Sequence, residues 1–367
     1  MDGAGGVLSP LVTIAPEPPA RRFLHMCYCC DDTDEVVDFL VNVLDMREVM
    51  RNPLHPSDGS LLGIDGEIVS GAAFVYDKRG PRTSPSIEVQ EWVKPTVIGR
   101  PMNDATHVGM QSLGVAVPDL SSTVSRMNAA GCSVVGEGST DWTGRWVTVA
   151  DPTGTLFDIF EDPTIPVGES RMRHLRITVT DLAASLPWYA GLGFIDVDRH
   201  EWTSGTHVGV TTANATADVV RLRLPDEPCE VVLTQWRHPV SHGRHPEHAN
   251  QAGLFRTAVG VDDTVRSYDE FRAAGWTFER EPRRVELSGT KVRHVDLLPQ
   301  RSGRSSVRVR AATALGVSSL SDVTRFVGTT NRPLVRRESP RAKRTANGPP
   351  LADTRRHNAP NDRDRCR

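Results

Sequence analysis

The stretch "LHMCYCCDD", residues 24–32, sets one histidine and three cysteines within nine positions of a 367-residue chain that holds six cysteines in all. Imidazole and thiolate both bind zinc, but a structural zinc site takes four ligands, usually as two closely spaced pairs. No second pair is present: Cys132, Cys229 and Cys366 stand alone, and Cys27-Tyr28-Cys29-Cys30 lacks the spacing of a CxxC redox motif. Strand alternation puts His25, Cys27 and Cys29 on one face, where the cysteines read first as small wall residues, with ligation by them the lesser alternative. A second eye-catching stretch, "RHPVSHGRHPEH" at 237–248, offers His238, His242, His245 and His248, yet its prolines and glycine mark a solvated linker. "VVGEGSTDW" lacks the Lys-Ser/Thr of a phosphate loop, which argues against nucleotide binding.

The elements that would position such groups recur. "HMCYCCDDTDEVVDFLVNVLDM", "SLGVAVPDLSSTVSRMNAAG", "HLRITVTDLAASLPWYAGLGF" and "RTAVGVDDTVRSYDEFRAAG" each run from a strand-like segment through an Asp into an amphipathic stretch. Asp32, Asp119, Asp181 and Asp263 sit where helix N-caps belong, and Gly131 and Gly275 where helices stop. Further strand-like runs follow, such as "GAAFVYD", "SIEVQEWV" and "VVRLRLPD". The unit is a strand, a helix and about three strands, used four times. A second periodicity, 144 residues without a gap, matches Trp92 with Trp236, Pro95 with Pro239, Gly99 with Gly243 and Gly109 with Gly253. The paired tryptophans read as shared packing at strand ends.

A βαβββ unit carrying "HLRITVTDLAASLPWYAGLGF" and "VTVADPTGTLFDIFEDP" resembles the vicinal oxygen chelate superfamily of glyoxalase I, bleomycin-resistance proteins and extradiol dioxygenases. The resemblance covers roughly residues 22–300. It implies an α+β fold in which four βαβββ units pair into two glyoxalase-like modules with cup-shaped mixed sheets. The joint would lie near "DPTIPVGESRMR", giving modules at 22–165 and 166–300, after an unstructured segment 1–21.

In that family, metal ligands come from the first and last strands of a unit. Seven residues before each cap Asp, the first-strand positions are His25, Ser112, His174 and Arg256. The last-strand positions are Glu88, Asp158 and, by the 144-residue offset, Val232. The resemblance therefore implies a divalent ion, one of Fe, Mn, Ni, Zn or Mg, held by His25, Glu88 and Asp158, with a plainer reading beside it in which His25 is a satisfied barrel histidine and the carboxylates pair with arginines. It implies Lewis-acid lyase or isomerase chemistry on a small oxygenated substrate, with no proton-shuttling base assigned. Two alternatives stay open: an extradiol-type dioxygenase, although the second histidine of a two-His-one-carboxylate set is missing, and a binding or drug-resistance protein without chemistry.

Bulk composition supports about two domains. The net charge of −3 hides an asymmetry: residues 301–367 hold sixteen Lys and Arg against five Asp and Glu, +11, so the remainder carries −14. This basic tail is read as a frameshift product in a GC-rich gene or, failing that, as a basic arm; nucleic-acid binding ranks last. The second module is expected to have an incomplete last strand, and on the frameshift reading to lack an edge of its sheet. The opening residues do not resemble a signal peptide and no run spans a membrane, so a cytoplasmic protein is expected, with its oligomeric state open.

Overall fold

The computed structural model describes residues 20–278, 281–287, 290–298 and 308–314, apart from Glu247, and these lie in one compact unit. The first repeat comprises β1 (Ala20–Cys30), α1 (Thr33–Asn42), β2 (Arg47–Asp58), β3 (Glu67–Tyr76) and β4 (Ser86–Lys94). The second comprises β5 (Gly109–Val117), α2 (Leu120–Ala129), β6 (Ser133–Thr140), β7 (Gly144–Ala150) and β8 (Leu156–Glu161). The third comprises β9 (Arg171–Thr178), α3 (Leu182–Leu192), β10 (Ile195–Trp202), β11 (Thr216–Arg223) and β12 (Glu230–His238). The fourth comprises β13 (Gly253–Val261), α4 (Thr264–Ala273), β14 (Thr277–Phe278), β15 (Arg283–Leu287), β16 (Thr290–Leu298) and β17 (Arg308–Ala314).

Local chemistry sets the units. Asp32, Asp119, Asp181 and Asp263 all cap their helices, each carboxylate accepting from backbone N–H groups of the first turn. Within each unit the first and last strands run parallel and the remaining strands follow antiparallel. The order β1-β4-β3-β2 is thus repeated as β5-β8-β7-β6 and β9-β12-β11-β10. On β1, Met26, Tyr28 and Cys30 enter the large core shared with the second sheet, while Cys27 and Cys29 join a separate cluster with Trp92 and Phe255. The alternation expected for this strand is what the fold uses.

The pairing of units differs from the expected modules. Sheet one joins the first and fourth units through antiparallel β1 and β13; sheet two joins the second and third through antiparallel β5 and β9. Residues 22–165 and 166–300 therefore each give one unit to each sheet, and cup one is closed by chain ends far apart in sequence. The connections supply the reason. Between β8 and β9 only residues 162–170 intervene, which keeps the second and third units neighbours. The two linkers 95–108 and 239–252 instead cross: Ile98 N–H donates to Asn250 O at 3.0 Å, and Val108 N–H to His242 O at 2.7 Å. Their 144-residue match is a match of conformation too, with cis Pro95 and Pro239 and left-handed Gly99 and Gly243 at the same places.

The fourth unit is also more complete than expected. Arg308–Ala314 adds as β17, parallel to β13 and antiparallel to β16, so seven residues of the basic tail supply the last strand. The rest of residues 301–367 and residues 1–19 lie outside the described residues, as does the frameshift reading of them; Ala20 and Arg21 already belong to β1. No helix among the described residues is long and apolar enough to cross a membrane.

Candidate functional site

Cup one gathers its polar groups on the inward face of three adjacent strands. His25 and Cys27 alternate onto that face of β1, and Glu88 of β4 is the direct parallel neighbour of Cys27. His25 Nε2 lies 3.3 Å from Glu88 Oε2, and the Cys27 thiol donates to the same oxygen at 2.5 Å. The three candidate donor atoms lie within 4.8 Å of one another. Donors bound to one ion at about 2.0–2.3 Å are separated by roughly 3–4.5 Å, so His25 and Glu88 stand at a ligand spacing, while Cys27 and Glu88 stand closer, at their hydrogen-bond contact, which a bound ion would replace. Phe74 packs edge-on against the His25 ring at 5.8 Å and shields it on one side. Burial pushes the Cys30 thiol, in the core on the other face of β1, up to about 12 and that of Cys29, on the cup face, higher still, so both stay protonated.

The fourth unit brings an arginine to this site. Arg256, the antiparallel partner of Cys27 on β13, donates from Nε to Cys27 Sγ at 3.0 Å and from Nη2 to Glu88 at 3.4 Å and to Gln90 Oε1 at 3.3 Å. It occupies the first-strand position that His25 fills in the first unit. By register Arg310 pairs with Ala258 as Glu88 pairs with Cys27, so a second basic residue holds the fourth last-strand position, which sequence reading left unfilled.

Asp158, expected beside His25 and Glu88, belongs to the other sheet. Gly114 pairs with both Asp158 and His174, and a Cβ on it would stand 2.5 Å from the His174 ring; glycine lets that ring lie over the strand. Asp158 is fully buried and accepts from Arg176 Nε at 2.9 Å and Nη2 at 3.2 Å, from Thr148 at 2.8 Å and from the Ser112 hydroxyl, with His174 Nε2 at 3.1 Å. Burial alone would raise its pKa, but the Arg176 charge and these hydrogen bonds overcome it and hold the carboxylate well below its ordinary range. Burial lowers the pKa of His174 below its ordinary value, against the pull of Asp158. Every lone pair of Asp158 is engaged, so the guanidinium takes the role an ion would have. Sequence reading passed over Arg176, although alternation from His174 in "HLRITV" puts both on one face.

Around this centre lies an aromatic shell of Trp146, Trp202, Trp236 and Phe160, with the His207 ring 4.4 Å from Trp202. A cavity of about 600 Å³ opens above it, lined among others by Thr140, Trp142, His200, Trp202, His207 and Arg221. Trp236 packs within this shell and Trp92 within the corresponding cluster of cup one, as shared packing predicts. In the histidine-rich linker, His238, His242 and His248 are exposed, whereas His245 is buried with Nε2 2.8 Å from Phe255 O.

The profile of the Glyoxalase/Bleomycin resistance protein/Dioxygenase superfamily matches residues 22–159 and again 171–295. Among solved structures, glyoxalase I from Zea mays is similar over 83% of this chain and 95% of its own, at 16% identity and a TM-score of 0.56. A putative dioxygenase from Bacillus subtilis is similar over 80% of this chain and 85% of its own, at 14% identity and a TM-score of 0.53. At such identities the likeness is one of fold. No curated protein matches. A profile met twice, on units that fold and pair in cup-shaped sheets, means that the chain belongs to the glyoxalase/bleomycin resistance/dioxygenase superfamily.

Proposed function

We propose that the chain is a metal-dependent enzyme that acts on a small oxygenated molecule in cup one by lyase- or isomerase-type chemistry. The convergence of His25, Cys27 and Glu88 carries this reading. A divalent ion held there supplies Lewis acidity toward vicinal oxygens of a substrate. The chain's own residues supply the rest. Arg256, fixed between Cys27 and Glu88, is placed to hold an anionic or developing oxyanion group. Glu88 is the carboxylate at the site, and it would take up and return a proton only when released from the ion. Asp158, locked by Arg176, has no part in it. The extradiol alternative is less well supported, because Arg256 stands where a second histidine would be needed.

Elemental analysis of protein purified without chelator should give one ion per chain, lost in His25→Ala and Glu88→Ala. An equal metal content in wild type and both variants would end the reading.

Cup two favours binding without chemistry. Its carboxylate is spent on Arg176, while the buried Trp202 Nε1, His207 Nε2 and Arg176 Nη1 have no hydrogen-bond partner among the described residues. Together with the 600 Å³ opening, they suit capture of a planar, oxygen-bearing guest. Affinity for such a guest should survive Glu88→Ala and fall in Trp202→Ala; dependence on Glu88 would place the guest in cup one.

A further inference from the structure

We infer that Cys27 is a thiolate ligand of the cup-one ion, which makes this a His–Cys–Glu site selective for zinc over magnesium or manganese. The inference rests on the metal-dependent reading of cup one and specifies its chemistry. Three independent placements support it. His25 and Cys27 are two residues apart on a strand, so their side chains rise from the same face about 7 Å apart at their roots. Glu88 lies directly beside Cys27 in the parallel register, which brings imidazole, sulfur and carboxylate to one point. Cys27 is wholly buried, and its sulfur meets Glu88 and Arg256.

Geometry separates ligand from wall: the Cys27 sulfur is directed at Glu88 and Arg256. The Arg256 Nε–H that points at Sγ from 3.0 Å is a donor suited to sulfur carrying negative charge, and a thiolate would offset part of the positive charge that an ion adds beside that guanidinium. Loading releases the thiol proton, now donated to Glu88, to solvent; the sulfur–metal bond replaces the sulfur–hydrogen bond. Thiolate favours zinc and cobalt over magnesium and manganese, which prefer oxygen. With His25, Cys27 and Glu88 as its only protein ligands, an ion bound there would keep a position for water or substrate.

The test uses the full chain loaded with cobalt(II). A sulfur-to-cobalt charge-transfer band in the near-ultraviolet is expected for wild type and Cys29→Ala and is expected to vanish in Cys27→Ser, with zinc affinity at least tenfold weaker. X-ray absorption on the wild-type zinc protein should show one sulfur at about 2.3 Å, a measurement that needs no variant to fold. Cobalt bound through His25 and Glu88 without a sulfur band, or with a band that survives Cys27→Ser, overturns the inference and leaves the metal-dependent reading standing. Absence of any ion that depends on His25 or Glu88 overturns both.

Discussion

Asp158 and Arg176 form a charge pair with no exposure to solvent, and each is costly without the other. Asp158→Asn should therefore lower unfolding free energy by about 3–5 kcal/mol, read from urea midpoints, because it strands a guanidinium in the core. A change below 1 kcal/mol would mean that Arg176 is not confined as described. His207 adds a pH dependence of definite sign. Burial pushes it down to about 4 from an ordinary 6.5, so between those values the unfolded chain takes up the proton and the folded chain does not. Its contribution is complete above pH 6.5 and is lost as pH falls toward 4, at no more than about 1.4 kcal/mol per pH unit. His207→Gln should flatten that slope; an unchanged slope would assign it to other groups.

At the scale of elements, the four aspartate caps are equivalent in type, and their loss should be local and modest. Asp32→Ala removes the acceptor of the Asp34 and Glu35 N–H groups and is expected to cost about 1 kcal/mol. The strand-helix pattern and these caps were legible because they depend on near neighbours: an N-cap needs only its own first turn, and alternation needs only the strand. The same locality put His25 and Cys27 on one face of β1, and the family resemblance marked His25 and Glu88 as inward positions. Pairing of the carboxylates with arginines was legible as the plainer alternative to a metal, but Arg176, accessible by alternation, was not singled out as the partner of Asp158. Which strands adjoin β1 was not legible, because hydrogen bonds between strands of different units leave no local trace.

For the whole molecule, the crossing linkers mean that neither half of the chain closes a sheet unaided. Residues 20–165 expressed alone should dimerise, the second unit of one copy standing in for the absent fourth unit of the other. Light scattering on the purified fragment checks this, and a stable monomer would show that the first and second units can pair directly. Removing residues 308–314 should destabilise sheet one more than sheet two, since β17 lies between β13 and β16. Hydrogen exchange should accelerate first in β13 and β16, leaving β5 and β9 protected.

The sequence by itself determined the repeated unit, its caps, the inward face of β1 and the family, because short-range periodicity and a recurrent pattern encode all of them. Only the tertiary structure decided the partners of each unit. Cup one draws His25, Cys27 and Glu88 from the start of the chain and Arg256 from its later part, while Asp158 meets His174 and Arg176 across β5 and β9. The physical reason is the length and course of the connections. A short linker holds the second and third units together, and two long crossing linkers send the first and fourth to meet. The expected ligand set of His25, Glu88 and Asp158 is divided by that choice, and Cys27, read as wall, comes to lie beside the two that remain.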